Sequence, residues 1–192
     1  MHQIHHTRGI ILSSTPFGES NRFYKIFTEE FGLVFAAAQS VREQKSKLRY
    51  TLQDFGFIFV DLVRGKEIWC IVGAEEGYVI KKSRNQEIKI IAQACILITR
   101  LVHGERKEDK LFSDILGVIN FLGRYELPPS LFRALETLIS FRTLVYLGYM
   151  DMNGYEKFLT PADYSLEIIQ EFNLLCSGII PKINSALRGS HL

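Results

Sequence analysis

Residues Gly9 to Phe55 read GIILSSTPFGESNRFYKIFTEEFGLVFAAAQSVREQKSKLRYTLQDF, and this stretch decides the fold class. Gly9 to Ser14 is a short apolar run that predicts a first strand, ended by the turn-forming cluster Ser13-Ser14-Thr15-Pro16-Phe17-Gly18. Arg22 to Thr28 is rich in aromatic and β-branched residues and predicts a second strand. Glu29-Glu30-Phe31-Gly32 supplies a hairpin with solvated turn charges, and Leu33 to Ala38 returns as a third strand. Gln39 to Tyr50 is polar and lacks periodicity, so it is expected as a mobile loop.

Downstream, Phe55 to Val63 is a longer β run, turned by Arg64-Gly65-Lys66-Glu67. Ile68 to Val72 continues it, Gly73 marks a bulge, and Tyr78 to Ile80 closes the set. Five strands joined mostly by hairpins predict a small closed barrel of the OB type over residues 1–82. The pattern then changes to helical spacing. Ile88, Ile91, Ala92, Cys95 and Ile98 form one apolar stripe, and Leu111, Ile115, Leu116, Ile119 and Leu122 form a second. Pro128-Pro129 precedes a third helix, Ser130 to Leu147, which Gly148 terminates. Thr160-Pro161-Ala162-Asp163 reads as a capped start of a fourth helix, and a short final helix is expected after Pro181. The fold class is therefore α+β: an amino-terminal five-stranded OB-type barrel, then an all-α domain over residues 83–192.

Several function classes are disfavoured. Cys70, Cys95 and Cys176 are far apart and form no Cys-x-x-Cys pair, so neither a zinc ribbon nor a disulfide framework is expected. His2, His5 and His6 sit near a terminus without a companion carboxylate or cysteine, and frayed, solvated side chains are expected there. The interior His103 is expected to favour the last carbonyls of a helix. No nucleophile–base constellation or phosphate-binding glycine loop occurs, so no enzyme, cofactor or metal is expected. No apolar run is long enough for a membrane span or a signal peptide, and a cytoplasmic location is expected.

The net charge is only +2, so the case for a polyanion partner rests on where cations lie. Arg42, Lys45, Lys47 and Arg49 crowd one loop against a single acid, Glu43, and Ser46 adds a neutral donor. Such a loop beside a barrel tracks a sugar-phosphate backbone by displacing condensed counterions. Arg22, Arg64 and Lys66 are supporting cations, while Phe17, Phe23 and Tyr24 are candidate stacking rings. Lys81, Lys82, Arg84 and Lys89 extend the basic path or simply form a solvated linker.

The order of short motifs resembles the RecO family. Its members carry a Gly-Ile-Val-Leu-like strand, then Pro-Tyr-Gly-Glu-x-Asp-Arg, then Phe-Thr and a glycine turn. A Gly-x-Arg-x-x-Lys-Ser-x-Leu loop and Leu-Gln-Pro-Phe follow. Here the matching residues are Gly9-Ile10-Ile11-Leu12, Pro16-Phe17-Gly18-Glu19, Arg22, Phe27-Thr28, Gly32, Arg42, Lys45-Ser46, Leu48 and Leu52-Gln53-Asp54-Phe55. Arg64-Gly65 falls at the family's next hairpin, and Leu147-Gly148-Tyr149 matches a helix end. Gln39-Ser40, Asn21 and Asp54 depart from the pattern, the chain is short for the family, and a four-cysteine insert found in many members is absent.

The resemblance implies a DNA repair and recombination mediator. It would bind single- and double-stranded DNA, anneal strands and help load a recombinase, with a RecR-like protein and the tail of a single-stranded-DNA-binding protein as partners. The alternative is an OB-fold protein-interaction adaptor with little DNA affinity, favoured by a near-neutral barrel in which residues 1–80 carry nine cations and nine acids. An OB-type RNA binder is a weaker rival.

Overall fold

In the computed structural model, which describes residues 3–78, 85–161 and 163–189, the strand runs fold as a closed barrel in the order β1-β2-β3-β5-β4. The strands are β1 (Ile4–Phe17), β2 (Asn21–Thr28), β3 (Gly32–Ala38), β4 (Phe57–Arg64) and β5 (Trp69–Tyr78). All neighbours are antiparallel except β3 and β5, which close the barrel as a short parallel pair through Ala36 with Trp69 and Ala37 with Cys70. This is an OB-type barrel. Alternation along β2 turns Tyr24 and Ile26 inward, where they meet Ile11, Val34, Ile58, Val60, Leu62 and Trp69 in one buried cluster.

Several strand expectations change in detail. β1 starts at Ile4 rather than Gly9 because its first half pairs with β4 and its second half with β2. That pairing places His5 and His6 in the sheet instead of a frayed end. His5 packs edge-on against Phe31 and Trp69 at 5.3 and 5.4 Å, and His6 Nδ1 lies 2.6 Å from Asp61 Oδ1. His2 is outside the described residues. β5 runs as one strand from Trp69 to Tyr78, and Val79 and Ile80 of the expected closing strand lie outside the described residues. The pairing passes from Asp61–Gly73 to Leu62–Ile71, leaving Val72 as an extra residue beside Gly73, so the bulge sits one position before the glycine. Glu29 is not merely solvated either. It forms an ion pair with Arg8, whose hydrogen bond holds the carboxyl below its ordinary value against the opposing effect of burial.

The described residues group into two compact units, 3–78 with His103–Glu108, and 85–102 with 109–189. The expected junction at Lys81 to Arg84 lies outside the described residues. His103–Glu108 straps the barrel surface: Glu105 accepts a 3.1 Å hydrogen bond from the Trp69 indole and pairs with Arg64, and Lys107 lies 3.7 Å from Glu30. The strap reaches this surface because Gly32 has no side chain. A Cβ built there would lie 2.0 Å from the Arg106 carbonyl oxygen.

The helical unit contains α2 (Asn85–Leu101), α3 (Asp109–Arg124), α4 (Phe132–Tyr146), α5 (Leu166–Asn173) and α6 (Cys176–Gly189); α1 is a single turn in the barrel unit, Leu48–Thr51. Gly148 closes α4 as expected, with the Tyr149 amide donating to the Leu144 carbonyl and the Gly148 amide to Val145. The fourth helix starts at Leu166, not at Thr160-Pro161, and its N-cap is Ser165, which accepts from the Ile168 amide. Buried Arg142 is the physical reason, since it takes the carbonyls of Phe158 and Asp163 at 2.5 and 3.0 Å and holds that segment out of helix. Asp163 is exposed, and Ala162 lies outside the described residues. The last helix begins at Cys176 and contains Pro181 instead of following it.

Arg142 and Asp114 are both fully buried, with the guanidinium 2.8 Å from one carboxylate oxygen and the Tyr164 hydroxyl donating to the other at 2.8 Å. Burial first, and then the Asp114 charge, hold the Tyr164 phenol well above its ordinary value of 10.0. An unfolded tyrosine ionises above pH ~10 while the folded one keeps its proton, so unfolding releases a proton there. Stability conferred below that pH should therefore fall as pH rises past ~10, by about 1.4 kcal/mol per pH unit from this group. Urea midpoints from pH 9 to 11 test this. A Tyr164→Phe chain should decline less steeply, and an equal decline in both chains would refute the assignment.

Candidate nucleic-acid interface

The basic loop is more structured than its composition suggests. Val41 and Leu52 insert into the barrel core at 1% and 2% exposure, and burial of such side chains contributes about 1.5–3 kcal/mol each. The Arg42 amide donates to the Ser20 carbonyl at 2.9 Å, and the Ser40 amide to Asn21 Oδ1 at 2.8 Å. Successive turns then carry the chain into α1. The expected structureless loop is thus a pinned segment ending in a helical turn.

This pinning assembles a cleft of about 240 Å³ lined by Arg22, Tyr24, Val41, Arg42, Arg49 and Leu52. Arg22 enters from β2, Arg42 from the start of the loop and Arg49 from α1. Arg42 is braced by a 3.2 Å hydrogen bond to the Gly18 carbonyl in the β1–β2 turn. The Arg22 Nε is buried and has no hydrogen-bond partner among the described residues. An unmet buried donor costs about 1–3 kcal/mol. Burial raises the Tyr24 phenol above its ordinary value, partly offset by Arg22, so the hydroxyl beside the arginines stays neutral at physiological pH.

The other sequence candidates separate. Lys45 and Lys47 are exposed and Ser46 is half-buried on the turn, none of them lining the cleft. Arg64 pairs with Glu105 and lies over the Trp69 ring at 4.8 Å, while Lys66 is exposed in the β4–β5 turn. Tyr24, expected as a stacking ring, is 2% exposed and belongs to the core; Phe17 and Phe23 stack on each other at 4.4 Å. Lys89 is exposed on α2, and Lys81, Lys82 and Arg84 are outside the described residues. Sequence reasoning gave Arg22 a supporting part, although it shares the inward parity of Tyr24 and Ile26. A charged residue on the inward face of a strand was the available signal.

Among the described residues no three His, Cys, Asp or Glu side chains form a group that could hold a metal, and no helix is long and apolar enough to cross a membrane.

Residues 1–71 match the family described as "Recombination protein O N terminal". The chain is 41% identical over 118 residues to "DNA repair protein RecO" of Dehalococcoides mccartyi strain 195, covering 60% of this chain and 47% of that protein. It is 29% identical over 118 residues to the protein of the same name from Clostridium novyi, covering 60% and 46%. With that from Halalkalibacterium halodurans it shares 22% identity over 134 residues, covering 69% and 53%. The chain thus spans about half the length of the curated relatives it matches. An OB-type barrel, the motif succession through Phe55 and these matches agree: over its amino-terminal barrel the chain is similar to RecO proteins.

Proposed function

We propose that the chain is a RecO-like DNA repair and recombination mediator that binds single- and double-stranded DNA, promotes strand annealing and helps load a recombinase. The observation that carries this reading is the convergence of Arg22, Arg42 and Arg49 on one cleft, with a buried Arg22 donor lacking a partner among the described residues. Guanidinium groups suit phosphate because their forked donors match its oxygens. Lys45, Ser46 and Lys47 lie on the connecting turn and would guide the backbone toward the cleft, with Arg64 and Lys66 as outlying cations. The mediator itself performs no bond chemistry.

Its partners would be a RecR-like protein and the tail of a single-stranded-DNA-binding protein. Docking of the apolar part of such a tail is supported by a groove of about 290 Å³ between α4 and α6, lined by Ile180, Ile183 and Leu187 with Arg133 and Glu136 as its two charges.

The experiment is affinity for single-stranded DNA, duplex DNA and RNA at several salt concentrations. Three neutralised phosphates on a single strand contribute a log–log slope of about −2, from roughly −0.7 each. Replacing Arg22, Arg42 and Arg49 by alanine should flatten the slope by that amount and lower affinity for all sequences alike, because backbone contacts carry no base information. An unchanged slope in the folded triple variant favours the adaptor reading, which the nine-to-nine charge balance of residues 1–80 supports. A preference for RNA over both DNA forms favours the third reading.

A further inference from the structure

A cavity of about 560 Å³ opens on the outer face of β1, β4 and β5 and shares no lining residue with the arginine cleft. Strand register sets its side chains in two rows. Arg8, Phe59 and Glu75 pair across the three strands in one row, and His6, Asp61 and Gly73 in the next. The β2–β3 turn adds Glu29 and Glu30. Gly73 keeps the floor open, because a Cβ there would lie 2.6 Å from Asp61 Oδ2. Phe59 is 49% exposed, and Ile4 and Val72 beside the rows are 50% and 53% exposed. Four carboxylates thus meet one arginine. Arg8 is engaged by Glu29, His6 lies against Asp61, and Lys107 reaches Glu30 only at 3.7 Å. Glu75 is exposed and makes no hydrogen bond or ion pair among the described residues.

We propose that this face docks a basic, extended segment of a partner protein, with an arginine of that segment seated on Phe59 and paired with Glu75. Charge complementarity names the occupant. The excess of carboxylates favours a cationic chain and repels a nucleic acid, so this segment and a polyanion in the cleft would occupy separate surfaces. The exposed Ile4 and Val72 suit apolar residues that alternate with the basic ones. Arginine fits better than lysine, since its planar guanidinium stacks on a ring and offers a fork to a carboxylate. The barrel is closed, so the segment lies across the face instead of adding a strand at an edge.

The test uses the full chain with a short fluorescent peptide alternating arginine and valine, beside its lysine and glutamate counterparts. Anisotropy should show saturable binding of the arginine peptide that weakens with salt, weaker binding of the lysine peptide and none of the glutamate peptide. Phe59→Leu should weaken the arginine peptide by about 2- to 30-fold, the range for a cation over an aromatic ring. Glu75→Gln should weaken it as well, and Glu75→Lys should abolish binding, in chains whose circular dichroism and thermal midpoint are unchanged. Affinity for single-stranded DNA should survive Phe59→Leu and Glu75→Gln. No binding of the arginine peptide, or binding that Phe59→Leu and Glu75→Lys leave unchanged, overturns the docking face and leaves the cleft intact. Loss of DNA affinity in those two variants would place nucleic acid on this face and overturn the proposal. Self-association of the unaltered chain that Glu75→Lys abolishes would show a second copy covering the face, which also overturns it.

Discussion

Replacing Asp114 by alanine is expected to destabilise the helical unit by about 3–5 kcal/mol, the range for removing one partner of a buried ion pair. Arg142 is fully buried, and its guanidinium cannot shed its proton. Without Asp114 it would keep the Phe158 and Asp163 carbonyls as acceptors but lose its counter-charge, and the Tyr164 hydroxyl would lose its acceptor as well. Asp114→Asn retains an acceptor near both groups and should cost less than alanine. The pair Asp114→Leu with Arg142→Met should recover part of the loss, since no unpaired charge then stays inside, although the two carbonyls would lack their donor. Urea denaturation of the four chains decides the matter. A cost below about 1 kcal/mol for Asp114→Ala would mean that the pair is not holding this core together.

Gly32→Ala should be the most damaging single-methyl change in the barrel. Gly32 has φ +65°, a conformation that costs a residue with a Cβ roughly 1–2 kcal/mol. The new methyl would also lie 2.0 Å from the Arg106 carbonyl oxygen, so the strap must lift. Lifting it removes the acceptor of the Trp69 indole and separates Lys107 from Glu30. Trp69 is the single tryptophan of the chain, so its emission should shift to the red as Glu105 leaves and water arrives. Gly18→Ala provides the comparison, because Gly18 has φ +60° but nothing within 4 Å of its added Cβ. That change should cost the backbone term alone and leave Trp69 emission unchanged. Identical spectra for Gly32→Ala and the unaltered chain would show that the strap tolerates the methyl group.

The barrel was legible in the sequence because its strands alternate and its turns carry glycine. Arg22 to Thr28 and Leu33 to Ala38 fall within two residues of the observed β2 and β3 ends. The first half of β1 was hidden, since His5, His6 and Arg8 are polar and pairing with a strand some fifty residues away leaves no local trace. The first three long helices were legible from apolar residues at helical spacing, whereas α5 and α6 start elsewhere than their turn residues suggested. Asp114 stands three residues after Leu111 and Arg142 four after Leu138, so both charges occupy apolar positions of their helices. Two opposite charges at core positions were a readable sign of a buried pair. The cleft was half legible. Composition located the cations of the loop, whereas their convergence depends on Val41 and Leu52 anchoring it and on Arg22 facing inward, which only the folded barrel supplies.

The strap also bears on how the chain is made. Synthesis proceeds from the amino terminus at about 5–20 residues per second, and domains tend to fold as they emerge. The five strands are complete by Tyr78, yet Glu105 and Lys107 arrive only after the whole of α2. For an interval of about one to six seconds on that timescale, a nascent barrel would carry an indole N–H and a glycine surface still awaiting their cover. A fragment cut just after the last strand would remain permanently at that stage. Residues between the first two long helices of the second unit therefore complete the first, and ribosome-bound chains with residue 108 still enclosed or already emerged would differ in the environment of Trp69.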